Sequence, residues 1–348
     1  MTSRLFNIYQ RYRTLKTSVI TTLPVVILMP HSACNCRCKM CDIWKGNKNT
    51  KQLTEKDVAG LLNSLVKFGT RQVVLSGGEA LMNIQFFSLC KLLRSRNIRI
   101  TLLTTGLLLK KHASDIILYV DDIIISLDGD AEHHDLIRSV PGGFSKMQEG
   151  IDAIRCIQSA FPITARSVIH RYNFRIWPAI IDTAWNLGVD QISFLPADIS
   201  SQAFNRETPW DTKKQMDILI REEELPELQK IIDYLLNNYA SDFKAGFIAE
   251  TPARIASFYQ YYAAHHNLAI FPFRRCNAPW VSTVIEADGS VRPCFFHEKL
   301  GNIHSTTLDN ILNSKEAIRF RRSLNMNTNP TCRKCVCSLY LSPVTRLT

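Results

Sequence analysis

Residues 24–41 read PVVILMPHSACNCRCKMC, an apolar run from Pro24 to Pro30 followed at once by Cys34, Cys36, Cys38 and Cys41. The run is far too short to cross a bilayer, which needs about 20 residues. It is also short for the apolar region of a signal peptide, and His31-Ser32-Ala33 lacks the leucine that usually precedes a lipidated cysteine. What remains is a buried strand, Val25–Met29, that delivers a cysteine-bearing loop at its carboxyl end.

Downstream, short apolar runs alternate with amphipathic segments as far as Leu195. Strands are expected at Gln72–Ser76, Arg99–Thr104, Asp122–Leu127, Ile163–Ile169 and Gln191–Leu195. Helices are expected at Thr54–Phe68, Phe86–Arg96, His112–Leu118, Phe144–Ala160 and Trp177–Leu187, with Thr54 and Asp57 spaced as an N-cap and a first-turn acid. Strand–helix alternation with nearly continuous apolar strands indicates a parallel sheet. Six such units specify an α/β fold, a partial (β/α)6 TIM-like barrel, with function beyond the carboxyl ends of the strands.

After Leu195 the pattern breaks into a polar stretch containing Pro196 and Pro209, then helices near Leu225–Asn238 and Pro252–His266. From Cys276 the chain is short-stranded, with Asp288-Gly289 as a hairpin turn. The expected organisation is a basic helix over 1–20, the barrel over 21–200, a helical connection over 201–270 and a small cysteine-rich domain over 271–348.

A composition of 46% hydrophobic and 21% charged residues excludes a disordered chain. The formal charge of +11 permits contact with nucleic acid, an anionic membrane or acidic substrates. Its clusters, Arg4, Arg11, Arg13 and Lys16, and Arg319, Arg321 and Arg322, read as solvated basic faces. Few aromatics interleave with the basic residues, so a nucleic-acid partner ranks low. Eleven cysteines without an export signal argue against a disulfide framework and for a reducing, cytoplasmic setting. Four fall in residues 34–41 and five between Cys276 and Cys337, while Cys90 and Cys156 stand alone and read as core residues.

Cys34, Cys38 and Cys41 form a Cys-x3-Cys-x2-Cys motif. Thiolates are soft ligands suited to iron–sulfur clusters and zinc. Three on one loop can hold three irons of a cubane cluster and leave the fourth open, unlike a closed four-cysteine site. A zinc knuckle is the alternative for the triad alone. The spacing resembles the defining motif of the radical S-adenosylmethionine (SAM) superfamily. Cys36 stands where that family usually has an apolar residue and is read as a non-ligand.

Further matches fall at strand ends. Ser76-Gly77-Gly78-Glu79 resembles the family's Gly-Gly-Glu motif, with Ala80 where the family usually has proline. The resemblance implies that Gly77 and Gly78 allow close approach to the cofactor and that Glu79 accepts hydrogen bonds from the methionine ammonium group. Thr104-Thr105-Gly106 ends the third strand and puts Thr105 at the cofactor. Ser126-Leu127-Asp128-Gly129 ends the fourth, and by resemblance Ser126 and Asp128 lie near the ribose hydroxyls of SAM. His134-Asp135 and Arg138 are similar to a stretch found in members with a C-terminal cluster domain, where the arginine suits the methionine carboxylate. A charged surface helix is the plainer alternative. His170, Arg166 and Asp198 are substrate-side candidates, each read first as a satisfied polar residue.

Cys276, Gly289-x4-Cys294 and Cys332-x2-Cys335-x-Cys337 resemble the auxiliary-cluster domain called SPASM, or its shorter form, Twitch. The resemblance implies a second 4Fe–4S cluster on Cys276, Cys294, Cys332 and Cys335, with Cys337 as a fifth candidate. A closed zinc site is the alternative.

The family resemblance implies that the reduced cluster on Cys34, Cys38 and Cys41 cleaves SAM to methionine and a 5′-deoxyadenosyl radical, which takes hydrogen from a substrate. It also implies an external electron donor such as flavodoxin or ferredoxin. The first choice of substrate is a small metabolite, such as a sugar or natural-product intermediate. The 33 residues before Cys34 are too few for the added peptide-binding domain of many peptide-modifying relatives. A peptide or protein maturase is the second reading. A non-catalytic zinc- or cluster-binding nucleic-acid protein is the third.

Overall fold

The computed structural model describes residues 4–204, 206 and 208–346. Six parallel strands lie side by side in chain order: β1 (Val25–His31), β2 (Gln72–Gly77), β3 (Arg99–Thr104), β4 (Asp122–Ser126), β5 (Ile163–Ile169) and β6 (Gln191–Pro196). Helices fill the crossovers: Glu55–Lys67, Phe86–Arg94, Leu109–Tyr119, Ala131–Arg138 with Gly143–Ile157, and Trp177–Asn186. This is the partial barrel that the alternation specifies. The first of these helices opens with a capping box, in which Thr54 Oγ1 accepts from Asp57 N and Asp57 Oδ2 accepts from Thr54 N at 2.8 Å.

Strand periodicity separates scaffold from site. Ile100 and Leu102, Ile123 and Ile125, Ile163 and Ala165, and Ile192 and Phe194 are fully buried against the outer layer. Each large aliphatic side chain so buried contributes about 1.5–3 kcal/mol. The alternate residues Ser76, Leu103, Ser126, Arg166, Val168 and Leu195 face the concave side and line a cavity there.

The other edge of β1 takes a seventh strand. β7 (Ser282–Ile285) pairs parallel to it in the register Val25↔Ser282, and β8 (Ser290–Arg292) and β9 (Gly301–Asn302) follow antiparallel. The turn between β7 and β8 holds Gly289 at φ +80°, with Asp288 Oδ1 accepting from Ser290 N at 2.9 Å. The cysteine-rich end is thus hydrogen-bonded onto the strand that delivers the first cysteine loop.

The basic clusters differ from the expectation of solvated faces. Arg13, Lys16, Arg319 and Arg322 are exposed, but Arg11 and Arg321 are buried. Arg11 Nη1 donates to the carbonyls of Ser342 and Thr345 at 2.8 Å, and Arg321 Nε donates to Ser18 O at 2.8 Å. Each arginine ties one terminus to the other, and satisfying distant carbonyls is what brings it out of solvent. Residues 1–3 of the expected basic helix lie outside the described residues, which begin the helix at Arg4–Thr17. Cys90 is buried as expected, whereas Cys156 is exposed near the end of its helix, where its turn faces solvent. Among the described residues no helix is long and apolar enough to cross a membrane.

Candidate active site

Cys34, Cys38 and Cys41 face a cavity of about 240 Å³, with Gly77, Gly78, Thr105, Ser126 and Arg138 in its wall. The cysteine loop lies directly on the end of β2. A Cβ at Gly78 would stand 2.1 Å from Ala33 O, and one at Gly77 2.9 Å from His31 O, where φ is also +114°. Gly78 N and Glu79 N donate to His31 O and Ala33 O at 3.3 and 2.9 Å. The close approach that these glycines allow is therefore between two stretches of backbone.

Glu79 is fully buried and ties β2 to β3. Its Oε2 accepts from Thr105 N and Thr105 Oγ1, both at 2.7 Å, and its Oε1 accepts from Leu81 N at 3.2 Å. Burial raises its pKa against the pull of these bonds.

Asp128, also fully buried, accepts from Val168 N at 3.1 Å and pairs with Arg138 Nη2 at 2.6 Å. Arg138 Nη1 in turn donates to Cys38 Sγ at 3.5 Å. Burial is the largest single influence on Arg138 and works to lower its pKa, but Asp128, Cys38 and Cys36 together outweigh it and the net shift is upward. The guanidinium thus stays charged between a carboxylate and a thiol. The Cys38 thiol is lowered to about 7, mainly by its hydrogen bond from Cys36, with burial opposing and Arg138 assisting. Burial pushes Cys41 up to about 12. His134 Nδ1 accepts from Asp128 N at 3.4 Å, and burial lowers this histidine to about 4, so it is neutral.

Cys276, Cys294, Cys332, Cys335 and Cys337 come together around a second cavity with Arg274 and His297. Burial pushes Cys294 to about 11 and Cys332 to about 12, and raises Cys335 and Cys337 as well. Metal ligation replaces those protons, so a cluster is the natural charge for this site. Cys337 borders both cavities and stands in the wall between them. In both places thiols stand around a cavity rather than converging on one point, and among the described residues no three His, Cys, Asp or Glu side chains gather for a single ion. Thiolates are soft ligands, and sets of this kind can hold the irons of an iron–sulfur cluster. Wider surface hollows of about 460 and 490 Å³ gather none of these thiols.

Sequence reasoning missed three groups. His297 Nε2 lies 3.3 Å from Cys332 Sγ, and the Cys294-x2-His297 spacing was its signal. Trp210 Nε1 donates to Asp42 Oδ2 at 2.6 Å, clasping the residue after Cys41. Arg206 stacks on Trp210 at 3.7 Å and pairs with Asp198 at 2.7 Å, with both charges almost inaccessible. No local pattern links residue 42 to residue 210. Among the substrate-side candidates, Asp198 is satisfied by Arg206. His170 is fully buried and lowered to about 4 by burial. Arg166 borders the main cavity, donates from Nε to Ser193 Oγ at 3.0 Å, and forms no ion pair among the described residues.

Profiles of known families match both regions. The radical SAM superfamily matches residues 28–194, and SPASM, an iron–sulfur cluster-binding domain, matches residues 276–336. The chain is 26% identical over 205 residues to Fe-coproporphyrin III synthase of Methanosarcina barkeri, covering 57% of this chain and 51% of that protein. It is 26% identical over 208 residues to pre-heme d1 synthase of Dinoroseobacter shibae, covering 58% and 51%. The chain thus spans about half the length of the curated relatives it matches. Streptococcus suis SuiB, solved with its precursor peptide SuiA, shares the fold, with a TM-score of 0.66 at 14% identity over 97% of this chain and 76% of SuiB. The first domain is one that holds a 4Fe–4S cluster and SAM, and the second is of a kind that binds iron–sulfur in addition. This chain belongs to the radical SAM superfamily, matched over residues 28–194, and carries a SPASM domain over residues 276–336.

Proposed function

We propose that the protein reductively cleaves SAM and directs the resulting radical at a small metabolite. The observation that carries this reading is the meeting of Cys34, Cys38 and Cys41 with Gly77, Gly78, Thr105, Ser126 and Arg138 around one cavity. These three cysteines hold the first cluster, and Cys276, Cys294, Cys332 and Cys335 hold the auxiliary one, with Cys337 as the fifth thiol. When bound, the first cluster supplies the electron that cleaves SAM to methionine and a 5′-deoxyadenosyl radical.

The chain supplies orientation and shielding. Arg138, held by Asp128, keeps a positive charge beside the thiolates. Thr105 and Ser126 offer hydroxyls to the polar groups of SAM. Glu79 fixes the ends of β2 and β3, and so the loop that Gly77 and Gly78 support. Met40, Leu103, Val168 and Leu195 keep water from the reacting carbon. Arg166 presents unpaired donors to the same space and suits a carboxylate on the substrate.

A compact cavity favours a small substrate, and both curated relatives are named for making small molecules, Fe-coproporphyrin III and pre-heme d1. The likeness to SuiB, solved with a precursor peptide, keeps a peptide maturase as the second reading. An external one-electron donor and a cytoplasmic setting belong to the same proposal. The test is anaerobic reconstitution with iron and sulfide, then SAM and dithionite, with 5′-deoxyadenosine measured by mass spectrometry. Wild type should form it and Cys41→Ala should not. Iron-replete wild type that forms none would contradict the reading.

A further inference from the structure

Segments 251–285 and 317–348 contain no aspartate or glutamate, yet between them carry Cys276, Cys332, Cys335 and Cys337. They run side by side. Asn277 N donates to Leu339 O and Asn277 Nδ2 to Leu341 O, both at 2.8 Å. The Arg275 guanidinium lies 3.9 Å over the Tyr340 ring, and Lys334 Nζ lies 5.9 Å from the Phe271 ring. On the outer side, Leu268, Ile270 and Phe273 are 57%, 73% and 72% exposed. Arg275, Arg333 and Lys334 are exposed too, and none of the three forms an ion pair among the described residues. Large apolar side chains in water, on segments whose own charged residues are all cations, mark a candidate interaction surface.

We infer that this face docks an acidic one-electron carrier protein of the flavodoxin or ferredoxin class. Charge complementarity selects an acidic partner. Position selects an electron carrier. Arg275 directly precedes Cys276, and Arg333 and Lys334 stand between Cys332 and Cys335. A substrate would have to reach the cavity beyond Cys337, whereas an electron has only to reach the half-buried thiols of Cys276, Cys332 and Cys335 that adjoin these cations in the chain. On docking, the carrier is oxidised by one electron and the iron–sulfur centre held by those thiols is reduced by one, with no bond made or broken. The inference rests on the reading that these cysteines hold the auxiliary cluster.

The test uses the reconstituted full chain and a bacterial flavodoxin. Calorimetry should show binding that weakens with salt, and Arg275→Glu with Arg333→Glu should weaken it by about tenfold or more. Phe273→Ser should cost roughly fivefold through lost apolar contact. In both variants, iron content and dithionite-driven 5′-deoxyadenosine formation should match wild type, while formation driven by reduced flavodoxin falls with the affinity. Unchanged flavodoxin binding, or unchanged flavodoxin-driven turnover, would overturn the inference, and so would variants that lose affinity only for an acidic peptide. Equal losses with both reductants would overturn it as well, because these residues would then support the site itself. Wild type that is inactive with dithionite would instead sink the proposed function, and the calorimetry would still decide the docking face.

Discussion

The two cysteine sets are built in opposite ways. The first comes from residues 34–41 on one loop and opens onto a cavity shared with the strand ends. The second is gathered from residues 276 to 337 and shares its cavity with Arg274 and His297. A loop-borne triad leaves one side free for a ligand, whereas an assembled set surrounds its cluster with protein. Cys337 stands where the two environments meet.

The comparison is broken most strongly by removing a thiol from the second set. Cys335→Ala should abolish the auxiliary cluster's signal in electron paramagnetic resonance and leave the first cluster intact. Cys337→Ala should keep both signals if Cys337 is the spare thiol, and loss of the auxiliary signal there with its retention in Cys335→Ala would reverse the assignment. The support beneath the first set is the next target. Gly78→Ala puts a methyl 2.1 Å from Ala33 O, so the loop must move. It should cost on the order of 3 kcal/mol in thermal stability and lower iron at the first site only.

How much of this was legible in the sequence depended on distance along the chain. The six strands were readable because each is a short apolar run bounded by its own turn, and the first thiol set because its spacing is local. The clasp between Trp210 and Asp42 and the burial of Arg11 and Arg321 were hidden, since their partners lie far away in sequence. Cys337 was visible as a residue but not as a wall between two cavities. Glu79 was visible as part of a motif, but its bonds to Thr105 emerge only when the ends of β2 and β3 are brought together.

The clasp sharpens the comparison with a smaller effect. Trp210→Phe removes the bond to Asp42 and should cost about 1–2 kcal/mol in denaturant unfolding. Iron binding at the first site should weaken, and the second set should not respond.

The smallest effect concerns acidity. Burial raises Glu250 from the usual glutamate range to about 7. Its folded pKa lies above the unfolded one, so its contribution is complete below about pH 4.5 and is lost as pH rises through about 7. Glu250→Gln should therefore raise the melting temperature at pH 8 and change it little at pH 5. His134 and His170, both lowered to about 4, act in the opposite sense, and their contribution is lost as pH falls from about 6.5 towards 4.

The difference between an open and a closed site is tested most directly by the response of each cluster to SAM. The measurement is electron paramagnetic resonance of the dithionite-reduced protein, with and without SAM, in wild type and in a variant with Cys34, Cys38 and Cys41 all changed to alanine. Wild type should show one signal that shifts with SAM and one that does not. The variant should keep roughly four irons and only the unresponsive signal. A variant whose remaining signal shifts with SAM would contradict the account, because the assembled set would then be the open one.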